Sequence, residues 1–533
     1  MGRTPASSSW NTRKPSVIMS IIDVSIIGYG PVGALTALSL ANAGLRVRIL
    51  ERSSDSVEMP RAVAIDGETL RAFQRLDRSN EIWGLCQLPR DPNTIAFANS
   101  KRVPIISLDI LGFGANGWPD MTFFDQPELE AELRRLVALD DRIEVKLGNE
   151  VVRVDQDAES VTITSRDRED GGETKTVSRY SIGCDGASSF VRETVGIEWL
   201  SLDYDQEWLV IDITQGPDAD LPLTTMQICD PARLATYICV KDPNRRWEFQ
   251  LLPGETREEI LSDEKIGELL SSWIDPKDYE IRRAAVYQFH AATAEKWRAG
   301  RVLLAGDAAH QTPPFLGQGL NAGFRDAVNL GWKLPLVLSG VCGDDLLDTY
   351  AVERDPHARD LVDRAVSIGK LMEVLAAREA GEPDPHPPES LNVNVGGPIV
   401  PPMRGGVMIQ SQTETGKLAG KLLRQPRVRA RKAEGDNEDI LLDHFLGKSF
   451  CVVGRETSDL ALGDEAKTIL EQLGGSNLAL TDLEVTEGRF DSLFEEYAAV
   501  LVRPDRYIFG VTDKEWSLDQ LVLELGKKLS FTG

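Results

Sequence analysis

The sequence predicts an α/β protein. It reads as a parallel sheet flanked by helices, interleaved with an antiparallel sheet and followed by a small α/β unit. Three observations carry this. The apolar strand Val24 to Ile27 runs into three glycines and then a helix, Ala34 to Ala43. A second apolar strand, Val302 to Leu304, ends at Gly306-Asp307 and passes through a Pro- and Gly-rich loop into a helix, Asn321 to Leu338. Between them, residues 205–255 hold four β-rich segments with no glycine loop of the phosphate-binding kind.

A chain of 533 residues predicts two or three domains. The net charge of -25 excludes nucleic acid and anionic membrane surfaces as partners. None of the six cysteines forms a C-x-x-C pair, and most lie in apolar runs, so they read as reduced core residues in the cytoplasm. Neither these cysteines nor the five histidines have metal-ligand spacing, so no metal is expected. No apolar run is long enough to span a bilayer. Residues 1–18 are rich in Ser, Arg and Pro and lack acids. They read as a disordered extension ahead of Met19, with a mitochondrial presequence as the alternative.

The first turn, Gly28-Tyr29-Gly30-Pro31-Val32-Gly33, has G-x-G-x-x-G spacing. Gly28 permits the tight turn, Gly30 admits a pyrophosphate close to the backbone, and Gly33 lets helix pack on strand. Pro31 and Val32 open a helix whose N-terminal N–H groups and dipole favour phosphate. The next strand, Val47 to Leu50, ends in Glu51, placed to bind a ribose hydroxyl pair, followed by Arg52. The pattern predicts an adenine dinucleotide site.

Further on, Arg61 follows a proline-fixed turn and could reach a dinucleotide phosphate. Gln126 opens a helix, Glu128 to Leu139, where its amide can point at a ligand. Strands over 143–184 end in Cys184-Asp185-Gly186, a second nucleotide-side loop, with Arg192 beyond it. The β-rich 205–255 and the helical 256–274 suggest the wall of a substrate pocket. Asp307 can accept hydrogen bonds from a polyol. Pro313 and the Gly317–Gly319 turn lead into the helix at Leu320 and Asn321, whose free N–H groups suit an electron-rich oxygen. Gly381 to Pro402 carries seven prolines and three glycines, which marks a linker or strap.

Together these motifs resemble the FAD-dependent aromatic hydroxylases, the single-component group A flavoprotein monooxygenases. Pro60-Arg61-Ala62, Gly117-Trp118-Pro119, Arg246-Trp247-Glu248-Phe249, Leu251 to Glu255 and Arg503-Pro504-Asp505-Arg506 add to the likeness. The resemblance implies a Rossmann-like FAD-binding domain over 19–204 and 276–375, interleaved with a substrate-domain sheet over 205–275. A linker over 376–404 and a C-terminal thioredoxin-like domain over 405–533, without redox cysteines, complete it. It implies FAD as cofactor and NADH or NADPH as a transient co-substrate, because no second dinucleotide motif is present. The implied reaction hydroxylates a phenolic ring, of the 3-(3-hydroxyphenyl)propionate type, with O2 through a flavin C4a-hydroperoxide. A homodimer is compatible with it.

In this reading Gly28, Gly30, Pro31, Val32, Gly33 and Glu51 hold the ADP half. Arg61 and Gln126 contact the phosphate and ribityl side, and Gly306-Asp307 the ribityl chain. Pro313, Gly317, Gly319, Leu320 and Asn321 line the flavin ring. Asp185 and Arg192 serve both FAD and the nicotinamide, and Arg52 the nicotinamide. The residue that takes the phenol proton stays open, with His290, Tyr237 and Tyr287 as candidates. Alternatives are the same chemistry on a resorcinol, a salicylate or a polyketide phenol, and a non-catalytic flavin-binding protein. A flavin halogenase lacks its W-x-W-x-I-P stretch here. A disulfide reductase lacks its cysteine pair and second glycine motif.

Overall fold

The computed structural model describes residues 21–55, 60–90, 95–108, 112–391, 400–431, 438–490 and 492–533. The extension expected over 1–18 and part of the linker expected over 376–404 lie outside them. Strands Ile22–Ile27, Val47–Leu50, Ile143–Lys146, Glu173–Gly183 and Val302–Leu304 form a parallel sheet, with Ile22–Ile27 inside it. Their apolar side chains are buried, Val24, Ile26, Ile49, Ile182 and Leu303 completely, as parallel strands covered on both faces require. Register places Ile27 beside Leu50 and Gly183, and Gly183 beside Leu304. The carboxyl ends of four strands therefore meet at one edge, the position where open α/β sheets bind ligands. Helices Pro31–Asn42 and Gly319–Leu338 cross that edge in close contact. A Cβ on Gly323 would stand 2.6 Å from Val32 Cγ2, and one on Gly331 2.8 Å from Ser39 Cβ.

The second sheet has eight strands, in the order His310–Gln311, Tyr279–Ala294, Trp199–Gln215, Asn244–Gln250, Ala235–Ile238, Thr225–Ile228, Ile95–Ala98 and Pro104–Leu108. This corrects the expected extent of 205–275. Strands at 95–108 and 279–294, which the sequence assigned to the nucleotide unit, belong here. The long strand Trp199–Gln215 is paired along its length by Tyr279–Ala294, a partnership across some 80 residues that local pattern does not reveal. One face packs Leu209, Ile211, Tyr237, Trp247 and Phe249 under helices Arg257–Ile260 and Asp263–Leu270. Alternation sends Trp208, Asp212, Thr236, Arg246 and Glu248 to the other face.

Helix Asp348–Ala380 overruns the expected domain end at 375 and stops at Gly381, whose φ of 73° closes it. The C-terminal part holds a four-stranded mixed sheet of Ser476–Ala479, Cys451–Gly454, Ala499–Val502 and Ile508–Val511, with helix Leu518–Lys528. A turn at Leu480–Asp482 separates Ser476–Ala479 from Leu483–Glu487, which pairs in another sheet with Arg427–Ala430. This part shares the nucleotide unit's core: Trp332 packs edge-on against Phe450, and its indole N–H donates to Asp505. All six cysteines are unpaired.

Candidate functional site

The glycine turn is shaped by two constraints and one opening. Gly28 has φ 101°, and a Cβ there would meet the Cys184 carbonyl oxygen at 2.3 Å. A Cβ on Gly33 would meet the Gly28 oxygen at 2.2 Å, whereas beside Gly30 nothing lies within 4 Å. Gly28 and Gly33 thus serve protein packing, and Gly30 leaves backbone accessible. Glu51 accepts the N–H of Tyr29 at 2.7 Å and of Ser53 at 2.8 Å, fixing the turn and its own carboxylate.

Asp307 follows at the adjacent strand end. Its side chain is open to the cleft, while the surrounding protein raises its pKa, opposed by His310 and Arg61. The turn is clamped from behind. Asp326 accepts the Gly306 N–H at 3.0 Å, His310 Nε2 lies 2.8 Å from Asp326, and Arg354 donates to Asp326 at 2.8 Å. His310, stacked on Trp297, therefore belongs to the support.

Several other expected residues are brought to this edge as supports. Gln126 Oε1 accepts the N–H groups of Arg61 and Ala62, both at 2.7 Å, and its amide donates to Glu130. Arg246, from the second sheet, donates to the carbonyls of Pro60 and Arg61 and pairs with Asp212. The Arg61 backbone is held from both sides, leaving its exposed side chain near Asp307 and Glu130. Asn321 accepts from the Asp66 N–H and Thr69 hydroxyl and donates to the Gly317 carbonyl at 2.9 Å. Its side-chain amide joins the turn to the neighbouring strand through these bonds, which leaves only the backbone of Asn321 at the helix start. Asp185 caps the next helix through Ser189 and the Val191 N–H. Arg192 is buried, stacked on Trp199 and bonded to the Ala187 carbonyl. Arg52 is exposed and Pro313 buried.

Beyond the Pro314–Gln318 turn opens a cavity of about 1120 Å³. Its walls come from that turn, from Thr225, Gln227, Thr236 and Glu248 of the second sheet, and from Leu422 to Pro426 of the C-terminal part. The three proposed proton acceptors do not line it. Tyr237 is corrected outright: it faces the opposite side of the sheet, sandwiched with Trp247 and Trp273, and donates to the Pro222 carbonyl. Tyr287 accepts from Arg283 at 3.0 Å, and His290 pairs with Asp205 on a partly exposed strand.

Sequence comparison assigns the family. The profile described as "FAD binding domain" matches residues 21–365, and that of the "HcaD C-terminal domain" matches 420–527. The chain belongs to this FAD-binding family. A probable NADH-specific resorcinol 4-hydroxylase of Rhodococcus jostii (strain RHA1) is 32% identical, with 96% of each chain covered. A 3-(3-hydroxy-phenyl)propionate/3-hydroxycinnamic acid hydroxylase of Mycobacterium sp. (strain KMS) is 33% identical over 92% of this chain and 88% of its own. Two solved structures share the fold. Aklavinone-11 hydroxylase with FAD and aklavinone has a TM-score of 0.76 at 23% identity, covering 95% of this chain and 99% of its own. The flavin-dependent monooxygenase PieE has 0.79 at 21%, covering 96% and 99%.

The residues present fit FAD. Gly30 leaves room at the helix N-terminus, Glu51 stands at the second strand end, and Asp307 offers an open carboxylate inside a crowded cleft. No side chain intrudes on the helix start either, since a Cβ on Gly319 would meet nothing within 4 Å. What the sequence reading missed is Glu248. It is 2% exposed, reaches the cavity, and makes no hydrogen bond among the described residues. The period-2 alternation of Arg246 and Glu248 with Trp247 and Phe249 carries the signal: two charges share a face that apolar neighbours leave.

Proposed function

We propose that the protein is an FAD-dependent monooxygenase that consumes NADH and O2 to hydroxylate a phenolic ring. The observation that carries this is the shared Pro314–Gln318 turn. It closes the FAD-binding edge on one side and walls the cavity on the other. Bound FAD, once reduced by the nicotinamide, supplies the activation of O2. The chain's part is to bind, orient and exclude water. Gly28 to Gly33 and Glu51 hold the adenosine end, while Asp307 and the Arg61 loop hold the ribityl and phosphate stretch. The start of helix Gly319–Leu338 aims N–H groups and a positive dipole end at the electron-rich rim of the ring. Arg52, Asp185 and Arg192 are assigned to the nicotinamide side.

We read residues 405–533 as a thioredoxin-like unit turned to packing. Its mixed four-stranded sheet supports this, as does its single cysteine, the buried Cys451. The unpaired cysteines support a reducing compartment such as the cytoplasm. The test is NADH oxidation by the purified yellow protein with 3-(3-hydroxyphenyl)propionate and with resorcinol, with product identification. A phenol that stimulates oxidation and gains one hydroxyl group is the expected result. A protein that binds no FAD, or that hydroxylates no phenol, overturns the assignment.

A further inference from the structure

We propose that Glu248 is the proton acceptor for the substrate's phenolic hydroxyl, an inference that rests on the hydroxylase reading above. Among the described residues, four acids line the cavity: Asp66, Glu68, Asp120 and Glu248. Asp66 caps helix Gly67–Arg75 and pairs with Arg325, and Glu68 binds Arg325 and Tyr507. Asp120 is exposed. Glu248 alone is buried without a hydrogen-bonded partner; its nearest cation, Arg246 Nη1, stands at 3.9 Å, beyond hydrogen-bond reach. Among the described residues, no His, Tyr, Cys or Lys lines the cavity. A buried carboxylate without a hydrogen bond is costly, and a ligand hydroxyl relieves that cost.

Position agrees. Register aligns Gln227 with Thr236 and Thr236 with Glu248 across three strands. Gln227 reaches the Phe315 carbonyl at 3.5 Å and accepts from Thr236 at 2.7 Å. Glu248 therefore stands two strand spacings, about 10 Å, along the same sheet face from Gln227, whose amide reaches the flavin-side turn.

The groups facing Glu248 are Arg246 on its own strand, Asp212 on one neighbouring strand and Arg283 on the next. Burial, with Arg246 and Arg283 opposing and Asp212 adding to it, pushes its carboxyl up to about 7. In the step, the phenol O–H bond breaks and an O–H bond forms on Glu248. The electron pair stays on the phenol oxygen and enriches the ring for electrophilic attack. As the hydroxylated ring regains aromaticity, the attacked carbon's C–H bond breaks and releases its proton, balancing one taken up as the second oxygen atom of O2 leaves as water. Glu248 returns its own proton to the phenol oxygen, and NADH and O2 remain the only redox reactants.

The experiment compares wild type, Glu248→Gln and Glu248→Asp with resorcinol. It measures FAD content, the resorcinol dissociation constant from the flavin spectrum, kcat for product, and the pH profile. Glu248→Gln is expected to keep its FAD and bind resorcinol within about threefold. Its kcat should fall about 100-fold, within the range for loss of a general base. The wild-type rate should rise with pH through about 7 as Glu248 ionises. In Glu248→Gln that limb should vanish, leaving a rise toward the phenol's own ionisation. Glu248→Asp should recover part of the rate and the limb. A FAD-loaded Glu248→Gln that keeps the wild-type rate and limb overturns the proposal while leaving the hydroxylase reading intact. If Glu248→Gln fails to hold FAD, a wild-type profile without a limb near 7 overturns it. Wild type that hydroxylates no phenol overturns the hydroxylase reading, and this inference with it.

Discussion

Gly28 and Gly30 lie two residues apart and are held to glycine by different things. At Gly28 the protein itself forbids a side chain, through a positive φ and the Cys184 carbonyl. At Gly30 the protein leaves open space, and on the proposed function the FAD pyrophosphate fills it. Gly28→Ala is therefore expected to cost about 3 kcal/mol or more in folding stability, from strain and overlap together. Gly30→Ala should melt near wild type yet bind FAD more weakly. Thermal melting alongside flavin absorbance separates the two, and equal loss of stability would refute the distinction. Asp307→Ala removes a charged acceptor, with an expected loss of about 10- to 100-fold in FAD affinity. Unchanged flavin content after desalting would remove its assigned role.

Among elements, the decisive contact is between the two sheets. The loop at Pro60 and Arg61 belongs to the nucleotide unit but is anchored by Arg246 of the second sheet and Gln126 of the helix Gln126–Ala138. Gln126→Ala leaves two N–H groups without their acceptor and is expected to destabilise by about 2 kcal/mol. FAD affinity should fall with it, while the cavity, lined by other residues, keeps its volume. Calorimetric melting and FAD titration check this; unaltered FAD binding would show that the loop is ordered without Gln126. The motifs over 24–51 and 302–323 were legible because strand, glycines and helix are local features with strong turn chemistry. Strand Tyr279–Ala294 was not, because its partner, and hence its sheet, is fixed only by a distant segment.

At the scale of the molecule, the C-terminal part is clamped to the nucleotide unit by buried charge. Arg503 bonds Glu353 at 2.8 Å and Asp505 at 2.6 Å, and Lys333 bonds Glu353 at 2.8 Å. Arg71 bonds Asp443, which also takes Arg506. Arg503→Met removes the cation that Glu353 and Asp505 share, leaving Lys333 on Glu353 and the Trp332 indole on Asp505, and is expected to destabilise the whole chain by about 3 kcal/mol, as a single transition in denaturant. Two separated transitions would show independent domains instead. Desolvation opposes ionisation of Glu353, but Arg503 and Lys333 prevail and hold its carboxyl down at about 2, below the ordinary 4.5. A depressed carboxylate stabilises the fold above its unfolded value, so this contribution is full above about pH 4.5 and is lost as pH falls toward 2. Acid titration followed by flavin release and tryptophan fluorescence is expected to show both changing together in that window; Arg503→Met should move it to higher pH.

The sequence by itself determined the α/β fold class and, through the motifs at Gly28 to Gly33 and Gly306-Asp307, the FAD-binding family. Each depends on residues adjacent along the chain, where turn geometry and helix starts act directly. Tertiary structure alone decided which groups face the cavity. It turned Tyr237 into core, made Gln126, His310 and Asn321 supports, and exposed Glu248. Those roles follow from which face of a strand meets which distant element, and a one-residue difference such as Trp247 to Glu248 reverses that face.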